Sequence, residues 1–125
     1  MWLTYATGLT FSHKLEDRTH LVDKSCIEVH KHTNSPIIVK VQAIDGDFLD
    51  FKTIKEVVED VLKGFKGKNI TEYAGITTCE EFTIFLVQEI TRRFCNLDSI
   101  RGYDFTRRIG VHFQETVKYG VTIDA

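Results

Sequence analysis

His30-Lys31-His32 places two imidazoles at alternate positions, and on an extended backbone alternate side chains project to one face. Two neutral ring nitrogens on one face can reach a single metal ion, and zinc is the ion that imidazole ligands favour. A third histidine would complete the site. His13, which ends the alternating row Leu3, Tyr5, Thr7, Leu9 and Phe11, is the candidate. Three protein ligands leave a fourth position for water or a substrate oxygen, the arrangement of a catalytic rather than a structural zinc site. The competing reading makes His30 and His32 ordinary exposed loop residues; against it, Cys26, Glu28, His30 and His32 all share one parity.

Cys26 stands four residues before His30, giving Cys-x-x-x-His-x-His. Its thiol can be a fourth metal ligand, a small buried apolar group, or a base or nucleophile whose pKa a nearby cation lowers. Spacing alone does not choose among these. Cys79 and Cys95 fall in or beside a helical pattern and read as packing residues. Glu115 is the other anomaly, because it occupies an apolar place in the alternating row Ile109, Val111, Phe113, Val117. An unpaired carboxylate facing a core costs several kcal/mol. Either the strand bulges there or the carboxylate has a dedicated partner, and a flat heterocycle with adjacent N–H groups would suit its two oxygens.

The elements that must position these groups follow from periodicity. Residues 3 to 13 alternate as a strand, residues 14 to 25 are charged and irregular and read as a loop, and Ile37 to Ile44 alternate again after Pro36. Asp45-Gly46-Asp47 signals a turn. A helix then opens with Asp50 as N-cap and carries Phe51, Ile54, Val57, Val58, Val61, Leu62 and Phe65 at steps of three and four, ending at Gly64 and Gly67. A second opens with Thr78 as N-cap and Glu81 three residues on, a capping-box pattern, and runs through Phe94. A polar stretch from Asn96 to Arg108 follows, and two further strand segments close the chain. Two strands, two helices and two strands predict an α+β fold, a four-stranded antiparallel sheet with two helices on one face, in the order ββααββ.

The chain has 125 residues, which is one domain's worth, so residues 1–125 are expected to form a single domain. It is 42% hydrophobic and 27% charged with a net charge of −2, which suits a packed core and gives no field to attract a polyanion. No Lys/Arg run exceeds a pair, no segment approaches a membrane span, and the first residues lack a basic leader, so a soluble, cytoplasmic protein with no nucleic-acid or membrane partner is expected. Three cysteines are an odd number, and a disulfide framework is not expected.

Together these residues resemble the 6-pyruvoyl-tetrahydropterin synthase / 6-carboxy-tetrahydropterin synthase family. Phe11-Ser12-His13-Lys14-Leu15 is similar to the family's first zinc-histidine segment, and Cys26-x-x-x-His30-x-His32 to its catalytic cysteine and remaining zinc ligands at the 6-carboxy branch's spacing. Phe48 to Lys55 resembles the segment opening the first family helix, Thr77-Thr78-Cys79-Glu80 the Pro-Thr-x-Glu opening the second, and Glu115-Thr116 the pair whose carboxylate anchors the pterin. The resemblance implies a tunnelling fold whose subunits join edge to edge, commonly as a hexamer of two trimers with sites at the interfaces. It implies zinc held by His13, His30 and His32, Cys26 as the base, and substrate contacts from Glu115, Thr78 and Thr116. The implied substrate is 7,8-dihydroneopterin triphosphate. In the 6-carboxy branch it yields 6-carboxy-tetrahydropterin, acetaldehyde and triphosphate and feeds deazaguanine synthesis.

The sequence also departs from the family pattern. The Asp-His pair of the proton relay is absent, and the stretch in its place reads Gly64-Phe65-Lys66-Gly67-Lys68. Val29 and Lys31 replace the glycine before each zinc histidine, and Thr77 replaces the proline. His20 and His112 are the candidate substitutes for the relay, and Lys66 and Lys68 are either phosphate-binding point charges or solvated lysines. Beside the zinc lyase stand a homologue that binds pterin or purine without catalysis and one that performs a different reaction, such as aldol cleavage of a pterin side chain.

Overall fold

Alternation in the sequence becomes a four-stranded antiparallel sheet in the order β1-β2-β3-β4 in the computed structural model, which describes residues 1–14 and 29–124. The strands are β1 (Trp2–Lys14), β2 (Val29–Gln42), β3 (Ile109–Gln114) and β4 (Gly120–Asp124); the helices are α1 (Phe51–Leu62), α2 (Ile70–Ala74) and α3 (Cys79–Ile100). The expected α+β layout and ββααββ order hold, with the short α2 added between the two long helices.

The row Leu9, Phe11 and His13 of β1 is buried, as are Ile37, Val39 and Val41 of β2 and Val111 and Phe113 of β3. These side chains meet Ile54, Val58 and Leu62 of α1 and Phe82, Leu86 and Ile90 of α3, and each such burial contributes about 1.5–3 kcal/mol. Four rings form the centre: Phe113 meets Phe11 and Phe82 edge-on, each at 5.5 Å, and Phe65 meets Phe82 at 5.2 Å. Among the described residues no helix is long and apolar enough to cross a membrane.

β2 is longer than the pattern after Pro36 indicates, because it starts at Val29 and passes through the proline. Pro36 lies just beyond the β2–β3 ladder, which spans Ile37 to Val41, so its missing N–H removes no bond from that ladder. A bulge divides β2: Leu9 pairs with Ser35 but Phe11 pairs with His32, so β2 spends three residues where β1 spends two. Asn34 sits in this bulge with φ 49°, and its N–H donates to Thr10 Oγ1 at 3.0 Å. Gly8 accommodates it, since a Cβ there would collide with the Asn34 side chain. The bulge reverses parity, so even-numbered His32 shares the helix-covered face with odd-numbered Ile37 and Val39.

The N-caps are as expected, but α1 ends at Leu62 with Lys63 as its C-cap, short of the expected Gly64 and Gly67, so Phe65 reaches the core from the turn that follows. Asp50 accepts from Thr53 N–H at 2.7 Å and Thr78 from Glu81 N–H at 3.1 Å. Glu81 reaches one residue further back than a capping box requires, bonding Thr77 N–H and its hydroxyl at 3.3 and 3.0 Å. α3 continues to Ile100, past the point where its apolar pattern stops. Asp98 holds a core-facing place in the last turns, completely covered, and forms a two-pronged pair with the equally buried Arg107 at 2.9–3.1 Å. Asp47 and the Gln42 carbonyl complete the guanidinium's partners.

Candidate functional site

The site lies where β1, the bulged arm of β2 and the β3–β4 hairpin meet the start of α3. His13 comes from the end of β1, and its position is tied twice. Lys14 N–H donates to Thr71 Oγ1 at 2.8 Å, which anchors the strand end to α2, and His13 Nδ1 donates to the Thr77 carbonyl at 2.8 Å. A carbonyl only accepts, so Nδ1 carries the proton and Nε2 presents its lone pair. That is the tautomer a metal ligand needs, held by the second-nitrogen bond that usually accompanies ligation.

His32 stacks on Phe11 with ring centroids 5.1 Å apart, and its Nε2 stands 3.0 Å from His13 Nε2. Glu115 Oε1 is 3.5 Å from each of these nitrogens. β3 ends at Gln114, so Glu115 is the first residue of the hairpin rather than a member of the apolar row. Its N–H donates to the Tyr119 carbonyl at 3.0 Å. The carboxylate thus has the dedicated partners its anomalous position called for, and they are histidines of this same chain. His13, His32 and Glu115 form a group able to hold a metal ion. Two ligands about 2.0–2.1 Å from a tetrahedral zinc stand roughly 3.3–3.4 Å apart. The three separations of 3.0, 3.5 and 3.5 Å bracket that value, so the donor set fits the ion.

The remaining expected residues fall in several places. The backbone of His30 pairs with that of His13 across the β1–β2 ladder. Its side chain, and all of Cys26 and His20, lie outside the described residues. Thr78 caps α3 beside Thr77 and Cys79, and accepting from Glu81 N–H leaves its own proton to donate. Thr116 instead serves the hairpin: its hydroxyl accepts from Lys118 and Tyr119 N–H at 3.2 and 3.1 Å. His112 cannot reach His13 within one chain. It points to the sheet face opposite Phe113, where its ring bonds Thr122 Oγ1 at 2.6 Å and Gln114 Oε1 at 2.7 Å. Lys66 is paired with Glu59 at 3.2 Å and Lys68 is exposed.

Two contributors escaped the sequence. Thr77 acts through its carbonyl, which no side-chain pattern reveals. Cys79 is buried as a packing residue should be, but it also lies against Glu115: burial pushes its thiol pKa up, and the carboxylate's charge and hydrogen bond push it further. It is therefore a neutral S–H donor rather than a nucleophile. Cys95 is exposed on α3, contrary to its expected packing role; both are free thiols.

Comparison with known proteins agrees with this geometry. The family model described as 6-pyruvoyl tetrahydropterin synthase matches residues 3–125. The structure of Caenorhabditis elegans 6-pyruvoyl tetrahydropterin synthase superposes with a TM-score of 0.67 at 15% identity, covering 100% of this chain and 95% of that one. At that identity the likeness concerns the fold. No curated protein matches the sequence significantly.

Proposed function

The chain belongs to the 6-pyruvoyl tetrahydropterin synthase family, and from that premise we propose that it is a zinc-dependent lyase acting on 7,8-dihydroneopterin triphosphate or a related pterin, releasing triphosphate as the 6-carboxy branch does. The observation that carries the reading is the convergence of His13 Nε2 and His32 Nε2 on one point beside Glu115, with His13 locked in the ligating tautomer by Thr77. His13, His30 and His32 hold the zinc, which when bound supplies a Lewis acid that lowers the pKa of a substrate hydroxyl.

The other roles belong to this chain's own groups. Cys26 accepts the proton. Glu115 accepts the ring N–H groups, Thr78 donates its hydroxyl to the ring, and Thr116 holds the hairpin that carries Glu115. Active sites form between subunits of a cytoplasmic hexamer of two trimers; the outer edge of β4 supports edge-to-edge joining, as does that of β1 where segment 67–69 leaves it open.

The stretch from Gly64 to Asn69 favours a second reading, binding without turnover. Gly67 N–H and the Lys68 carbonyl pair with β1, and no acid-histidine pair occurs there. Incubation of zinc-loaded protein with dihydroneopterin triphosphate separates the two. Release of triphosphate that Cys26→Ala reduces by at least about a hundredfold supports the lyase. Micromolar binding with no release supports the binding protein, and unchanged turnover in Cys26→Ala refutes the role of Cys26.

A further inference from the structure

Glu115 is asked to do two things at once. Its Oε1 lies 3.5 Å from both His13 Nε2 and His32 Nε2, within the separation that ligands of one ion show. The proposed function assigns the same carboxylate to a heterocycle, where both oxygens would face parallel N–H groups. One carboxylate cannot face the histidine pair and the ring plane together. We propose that Glu115 is an exchangeable metal ligand: in the ligand-free protein it completes the metal site with His13 and His32, and it leaves that site when the ring N–H groups take it.

The surroundings suit such an exchange. Glu115 is the first residue after β3, held by its N–H to Tyr119, so its side chain can swing while its backbone stays. It is 30% exposed, against 5% and 12% for the two histidines, so it is the member of the group with room to move. The histidines are fixed by packing, His32 on Phe11 and His13 on the Thr77 carbonyl. The Cys79 thiol hydrogen-bonds the carboxylate but does not join the group of His13, His32 and Glu115 atoms that converge within 4.8 Å. Departure of Glu115 would free its place beside the two ring nitrogens for a substrate oxygen, so ring recognition opens the site only for the molecule that carries the ring.

The consequence is antagonism. If metal and ring compete for Glu115, each weakens the other by the same factor. A ring without a side chain isolates the effect, since it has no hydroxyl to offer the metal. This inference rests on the pterin reading, and the experiment keeps the two apart. Binding of unsubstituted pterin (2-amino-4-oxopteridine) is measured to metal-free and zinc-loaded protein, and zinc affinity is measured by chelator competition in wild type and Glu115→Gln. Pterin should bind the metal-free form at least about tenfold more tightly, and Glu115→Gln should lower zinc affinity at least about tenfold.

The cobalt(II)-substituted wild type needs no variant: its visible absorption should change on adding pterin, as one ligand departs. Pterin that binds both forms equally, with an unchanged cobalt spectrum and undiminished zinc affinity in Glu115→Gln, would overturn the exchange while leaving the pterin reading intact. Failure of pterin to bind either form would overturn both. A simple ion pair between Glu115 and a protonated histidine predicts the first of these outcomes.

Discussion

Two polar clusters are set into the apolar layer between sheet and helices, and they are built in opposite ways. Around Arg107 every donor is answered: Nε and Nη2 bond Asp98, Nη1 reaches the Gln42 carbonyl at 3.0 Å, and both terminal nitrogens engage Asp47. Asp47 in turn accepts from Ile44 and Leu49 N–H. Charges of both signs are present and the cluster is closed. At His13, His32 and Glu115, electron-pair donors converge instead, with two ring nitrogens 3.0 Å apart and a carboxylate beside them. A cluster that pairs opposite charges holds the fold together, whereas one that brings two imidazoles and a carboxylate to within 3.5 Å of one another has the donor set of a metal site.

The contrast is broken most severely at Arg107. Arg107→Ala leaves Asp98 buried and unpaired, so stability to urea should fall by about 3–5 kcal/mol. Zinc affinity should be unchanged in whatever fraction remains folded. The same cluster sets an acid limit. The hydrogen bond from Arg107 holds the Asp47 carboxyl below the usual carboxylate range, with burial opposing it. A depressed native pKa contributes stability that is complete above the unfolded value, about 3.9, and is lost as pH falls through the native one. Urea midpoints should therefore be insensitive to this group above about pH 5 and decline in the acid range below, and the decline should be shallower in Asp47→Asn.

His32→Ala should do the reverse. Losing one of the converging nitrogens should weaken zinc at least about a hundredfold, close to 2.8 kcal/mol. In chelator, the metal-free variant should lose less stability than Arg107→Ala, because removing the ring leaves no buried charge without its opposite. A variant that lost stability in chelator as heavily as Arg107→Ala would show that the histidine cluster is structural after all.

How much of this was legible depends on the range over which each signal acts. Caps and amphipathic rows are local, so Asp50, Thr78, the face of α1 and the β1 row read correctly. The last turns of α3 did not, because Asp98 puts an acid where a core residue belongs, and its partner Arg107, nine residues on, lies in an irregular stretch with no period to mark its inward direction. α2 is a five-residue helix capped by Asn69 and closed by Gly75 at φ 71°, too short to show a period. Glu115 was legible as an anomaly, but its histidine partners come from other strands. The face shared by His32 and Ile37 was hidden by an odd-even mismatch that only the bulge at Asn34 resolves.

That bulge offers the subtlest test of the comparison, because it aims a ligand without touching it. Asn34 tolerates φ 49°, and a β-branched residue there pays about 1–2 kcal/mol for the left-handed conformation. Asn34→Val should lose about that much stability or flatten the bulge, and flattening moves His32 to the opposite face. Zinc affinity should then fall together with urea stability, while the Arg107 cluster, on the far side of the core, keeps its acid transition. Asn34→Gly preserves the conformation and should change zinc affinity by less than about threefold, since glycine adopts positive φ without strain. If Asn34→Val instead bound zinc as tightly as wild type, the aim of His32 would have to come from its stacking on Phe11 rather than from the register of β2.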